Sequence, residues 1–87
     1  MINSYHMGLK LKIISPVKVE FDGAVTSVTV PGTKGCFEIL KDHAPIISSL
    51  QPGVVEYVTD EGRNSLMVSG GFVEVQKNVV SLCVELD

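Results

Sequence analysis

Eighty-seven residues are enough for one domain and too few for two, and a balance of 45% apolar to 20% charged residues excludes a disordered chain. Seven Lys and Arg, scattered singly in a chain of net charge −3, give no basic stripe for neutralising phosphates, so no nucleic-acid partner is expected. No apolar run reaches the ~18–20 residues of a membrane span, and Met1 to Leu9 has neither the charged start nor the apolar centre of a signal peptide; a soluble, cytoplasmic protein with no direct membrane insertion is the expectation.

Residues 1–8 read as a flexible N-terminal segment ahead of a single domain over 9–87. Fourteen Val, six Ile and four Thr against two Ala favour strands throughout, because β-branched side chains fit a pleated surface better than a helix. Leu9, Leu11 and Ile13 alternate with Lys10, Lys12 and Ile14, and Val17, Val19 and Phe21 alternate with Lys18, Glu20 and Asp22, as two half-buried strands would. Pro16 separates them, and Asp22-Gly23 reads as the turn that closes the second. In Ala24 to Val30, Val25 is out of phase with Val28 and Val30, which points to a bulge near Thr26-Ser27. The loop Pro31 to Gly35 leads to a strand from Cys36 to Leu40, and Ile46 to Leu50 is a short apolar stretch stopped by Pro52-Gly53. Strand patterning returns in Val54 to Thr59, Ser65 to Ser69, Phe72 to Gln76 and Val79 to Leu86. Seven or eight short strands without a helical period predict an all-β, antiparallel sandwich or barrel.

The chemical inventory is thin. His6 lies in the terminal segment and His43 is the other histidine, so spacing suggests neither a two-histidine metal motif nor a nucleophile–base pair. Gly32-Thr33-Lys34-Gly35 lacks the spacing of a phosphate loop and leads into a strand, where a phosphate loop delivers its ligand to a helix. Ser69-Gly70-Gly71 is not a nucleophile elbow; two adjacent glycines between strands mark a bulge or a close backbone approach. Cys36 and Cys83 have no metal-site spacing and read as free thiols, buried or half-buried. Two rival readings use the same small β architecture. A lipoyl- or biotinyl-carrier domain would be modified on a lysine at a hairpin tip, here Lys77, although Gln76 and Asn78 are not its usual neighbours. A small ligand-binding sandwich would need a concave site with stacking groups, and Tyr5 and Tyr57 are scarce material for one.

Several segments, in order and over nearly the whole chain, resemble the amino-terminal domain of the epsilon subunit of F-type ATP synthases, called delta in mitochondria. They are Leu11 to Pro16, Phe21-Asp22-Gly23, Val28 to Gly32 leading to Gly35, Asp42-His43-Ala44-Pro45, Leu50 to Val55, and Val68 to Val75. The resemblance implies a flattened β-sandwich of about eight to ten short strands and a non-catalytic central-stalk subunit of a proton-translocating enzyme. Such a subunit links the gamma subunit to the c-subunit ring and transmits rotation from the cytoplasmic face of the inner membrane. No cofactor, metal or catalytic residue is implied.

By the same resemblance Ser15, His43 and Ser48 face gamma, and the loop Thr33, Lys34, Gly35, Cys36, Phe37, Glu38 meets the ring. Relatives commonly carry an acid where this chain has Cys36. Glu38, two residues on and so on the same face roughly 6.6 Å away, is the other candidate for that charge. Many relatives continue into a helical hairpin that in some binds ATP; without it, no nucleotide binding is expected of this chain. A contact protein of this kind should expose an apolar patch on one face of the sandwich.

Overall fold

The computed structural model describes residues 8–86, so the expected flexible segment, apart from Gly8, lies outside the described residues. Nine strands follow in chain order: β1 (Leu9–Ile14), β2 (Val19–Val25), β3 (Ser27–Gly32), β4 (Gly35–Ile39), β5 (Ile46–Leu50), β6 (Gly53–Thr59), β7 (Gly62–Val68), β8 (Gly70–Gln76) and β9 (Val79–Glu85). Alternation is cleanest where the residue types predicted it: β1 reads buried, exposed, buried, exposed, buried, and β9 likewise buries Val80, Leu82 and Val84.

The strands form one curled sheet in the order β2-β1-β9-β8-β5-β3-β6-β7, with β4 on the side of β3. At β5 the sheet folds over into two layers, because β5 and β3 share a single residue pair, Leu50 and Gly32. Two flanking backbone bonds hold that corner, Thr33 N–H to the Ser49 carbonyl at 3.1 Å and Gln51 N–H to the Pro31 carbonyl at 2.9 Å. The opposite seam is closed by Phe21 of β2 and Tyr57 of β6, whose rings lie 4.6 Å apart. Between the layers sits an aliphatic core that includes Leu11, Ile13, Val28, Ile39, Val55, Val73 and Leu82, all fully buried. The result is a slab of 38 × 26 × 19 Å, flattened as two sheets about 10 Å apart require.

Four local expectations need correction. Asp22-Gly23 does not end a strand; it lies within β2, paired with Lys12 and Leu11 of β1. A Cβ on Gly23 would stand 3.2 Å from the Phe21 ring, tighter than ordinary contact, so a side chain there would require the ring to give way. The phase break at Thr26 is a corner and no bulge: the chain leaves β1 and joins β6, with the Thr26 N–H bonded to the Val58 carbonyl at 2.8 Å. Val17 and Val19 are exposed, 83% and 51%, because β2 begins only at Val19 and slips register against Ile14. Cys36 is exposed, while Cys83 is half-buried as expected. One strand pair departs from the antiparallel plan: the first strand, β1, runs parallel to the last, β9.

Candidate functional site

The turn after β1 is organised by Ser15. Its hydroxyl donates to the Glu20 carboxylate at 2.9 Å and accepts the N–H groups of Val17 and Lys18 at 3.4 Å, while its own N–H bonds the Lys18 carbonyl at 2.9 Å. A serine that satisfies the turn in this way replaces backbone partners the tight loop lacks. The Glu20 charge, second to the effect of burial, also raises the Tyr57 phenol above its ordinary pKa.

His43 and Ser48 lie elsewhere. His43 is half-buried on the loop between β4 and β5, where its Nδ1–H donates to the Ala44 carbonyl at 2.8 Å and its ring lies 6.3 Å from Phe37. That loop is pinned to the tip of the β8–β9 hairpin: Asp42 N–H donates to Asn78 Oδ1 at 2.7 Å, and Asn78 Nδ2 to Asp42 Oδ1 at 3.3 Å. Ser48 pairs with Val73 across β5 and β8, on the inward side of the sheet. Three strand steps, about 14 Å, separate β5 from β1, and Ser15 lies at the end of the slab opposite the Asn78 tip. The three residues therefore lie along the length of the sandwich and do not form one compact cluster.

Within the expected ring loop, Thr33 and Lys34 make the β3–β4 turn, and Gly35 follows with φ +127°. Thr33 Oγ1 lies 3.1 Å from Ser49 Oγ, which ties the turn to β5. Cys36 and Glu38 are both exposed and pair with Pro31 and Thr29 on the outer face, whereas Phe37 turns inward onto the core. Glu38 thus shares a face with Cys36 but stands one pleat repeat farther from the tip.

Strand register assembles a feature that no single segment displays. Val19, Ile14, Cys83 and Phe72 are successive cross-strand partners over β2, β1, β9 and β8, so they form one apolar row on the outer face of the five-stranded layer. Val19 and Phe72 are about half exposed, and Val17, in the turn between β1 and β2, is 83% exposed. A cleft of about 330 Å³ runs along it, lined by Ile14, Ser15, Pro16, Phe72, Cys83 and Glu85. The next row reads Asp22, Lys12, Ser81, Glu74. A sequence signal for the apolar row existed in Ile14, which sits at a polar position of an otherwise regular alternation.

Reactive groups do not gather in the same way. Among the described residues no cluster of three or more His, Cys, Asp or Glu could hold a metal ion. A hollow of about 740 Å³ at the other end of the slab is lined by Gly8, Leu9, Lys10, Asp22, Gly23, Ala24, Lys41 and Asn78, with no aromatic side chain to stack a ligand. Lys77 does occupy the hairpin tip, exposed, as the carrier reading required. Among the described residues no helix is long and apolar enough to cross a membrane.

The ATP synthase delta/epsilon chain beta-sandwich domain model matches residues 8–86. The ATP synthase epsilon chain of Chlorobium limicola is 43% identical over 77 residues, covering 87% of this chain and 88% of that relative. The epsilon chain of Leptospira borgpetersenii is 42% identical over 77 residues, 88% of this chain but 61% of the relative, so the chain spans about three-fifths of the length of that protein. Among solved structures, the mitochondrial ATP synthase of Euglena gracilis matches with a TM-score of 0.83 at 22% identity, over 90% of this chain and 51% of its counterpart. The central stalk and c-ring structure from Tetrahymena thermophila matches with a TM-score of 0.74 at 19% identity, over 90% and 63%. At such identities the structures speak for the fold, and they agree with the two-layered slab; the family rests on the sequence matches. With a domain model covering every described residue and a Chlorobium relative matched over most of both chains, this chain belongs to the ATP synthase delta/epsilon family as its beta-sandwich domain.

Proposed function

We propose that this domain is a non-catalytic part of the central stalk of a proton-translocating F-type ATP synthase, where it links the gamma subunit to the c-subunit ring and helps transmit rotation. The observation that carries the reading is the distribution of working surface: an apolar row on one layer and a polar turn at Thr33-Lys34 on the other, on a slab built around a fully buried aliphatic core. A stiff body with two differently composed docking surfaces suits transmission between two partners. The apolar layer is assigned to gamma, with Ser15, His43 and Ser48 marking the gamma side: Ser15 holds the turn at the end of the apolar row, and His43 and Ser48 lie farther along the slab. The loop from Thr33 to Glu38 is assigned to the ring, with Glu38 in place of the acid absent at Cys36. Peripheral attachment at the cytoplasmic face of the inner membrane goes with this role, as does the lack of nucleotide binding by the sandwich itself.

Co-expression with gamma and the ring subunit of the same organism tests the reading. Affinity-tagged sandwich should recover gamma at equal stoichiometry, and Glu38→Gln should weaken ring association while leaving gamma bound. Failure of folded protein to retain gamma at micromolar concentration would overturn it.

A further inference from the structure

We infer that Val17, exposed on the turn beside the apolar row, is a principal contact with the stalk partner, and that Ser15 acts as the positioning residue for it and not as the contact itself. The inference rests on the stalk reading above and deepens it. Ser15 has little hydrogen-bonding capacity left for a partner: its hydrogen is directed to Glu20 at 2.9 Å, and its oxygen receives the N–H groups of Val17 and Lys18. Those bonds hold a turn whose apex is apolar. Val17 is 83% exposed, more than any other large apolar side chain described, although a short turn of this kind ordinarily carries polar residues. Ser15 and Pro16 also line the cleft that continues past Ile14 and Cys83 to Phe72, so the turn that carries Val17 adjoins the cleft and the row.

The chemistry of the partner follows from the two rows. An apolar strip four strands wide, about 14 Å between its outer strands, is bordered by Asp22, Lys12, Ser81 and Glu74 in that order. The complementary surface is an apolar ridge edged by basic, acidic and basic groups in sequence. A permanently bound subunit fits such a strip, because lasting interfaces have apolar centres and polar rims. Polar ring loops fit the Thr33-Lys34 turn on the other layer. The occupant is therefore the gamma subunit.

The test uses the whole chain and purified gamma from the same organism, with affinity read by biolayer interferometry and amide exchange read by mass spectrometry. Val17→Asp should weaken binding about tenfold or more, the scale of a central contact, with Tm unchanged because the side chain packs against little. Met67→Asp, at a site 62% exposed on the outer face of the other layer, should bind as the unaltered chain does. Ser15→Ala should weaken binding and speed exchange of the Val17 and Lys18 amides together, and Ser15→Thr should restore both. Unchanged affinity in Val17→Asp, beside normal binding by the unaltered chain, overturns the contact assignment. Weakened binding in Ser15→Ala without faster exchange makes Ser15 a direct contact and overturns its positioning role. No binding by the unaltered chain removes the stalk reading and this inference with it.

Discussion

Gly71 carries a φ of +133°, and a Cβ built on it would collide with the carbonyl oxygen of Cys83 in the paired strand. Backbone strain and a clash with a backbone that cannot swing away act together there, each costing on the order of 1–3 kcal/mol. Gly71→Ala is expected to lower Tm by at least about 8 °C, since the combined cost of about 2 kcal/mol or more shifts a domain of this size by that much; thermal circular dichroism measures it. The close approach anticipated from the Gly70-Gly71 pair is thus present, although both glycines lie inside β8 and not between strands. Tyr57 sets a pH dependence of its own. Burial, then the Glu20 charge, raises its pKa in the folded state, so the folded form holds its proton more tightly than the unfolded form. The associated stability is fully present below the unfolded value near 10 and is lost as pH rises through the folded value. Urea unfolding between pH 9 and 11.5 should show a fall in stability that is smaller in Tyr57→Phe; equal slopes would contradict this.

Elements whose hydrophobic period and turn chemistry agree were legible from sequence, and the β8–β9 hairpin shows why. Two apolar alternating runs meet at Lys77-Asn78, both with positive φ, 53° and 63°, as the tightest hairpin turn demands. Lysine is poorly suited to that conformation, whereas Asn78 tolerates it and adds the bonds to Asp42. Lys77→Gly should therefore stabilise the domain by about 0.5–1 kcal/mol, and Asn78→Gly should give no gain, because it removes the tie to the β4–β5 loop; denaturant midpoints distinguish the two. Where local signals conflict, the reading failed. Asp22-Gly23 has the composition of a turn, but β1 supplies backbone partners on either side and the Phe21 ring takes the space a side chain would fill. Val17 and Val19 continue an alternation on paper, yet the slip against Ile14 starts β2 late and leaves both outside the core.

Across the whole molecule the first and last strands are neighbours: β1 lies between β2 and β9, so those two strands must meet before the five-stranded layer is complete. Such non-local pairing slows folding. Refolding should take milliseconds to seconds in stopped-flow fluorescence of Tyr57, and relaxation within about 100 μs would contradict the topology. Fold class and the approximate positions of most strands followed from the chain alone, because β-branched composition and period-two alternation are local properties that survive any register; the bounds of β2 and β3 did not follow. The resemblance to the epsilon sandwich was carried by ordered local motifs, and the sequence matches bear it out. Tertiary structure decided the rest. Ile14 and Val19 lie near one end of the sequence and Phe72 and Cys83 near the other; only hydrogen-bonded register across four strands sets them side by side, and only the fold at β5 puts that row and the Thr33-Lys34 turn on different layers. A docking surface on a sheet is a property of which strands lie next to each other, and that choice is made by burying a shared core, which no single segment can encode.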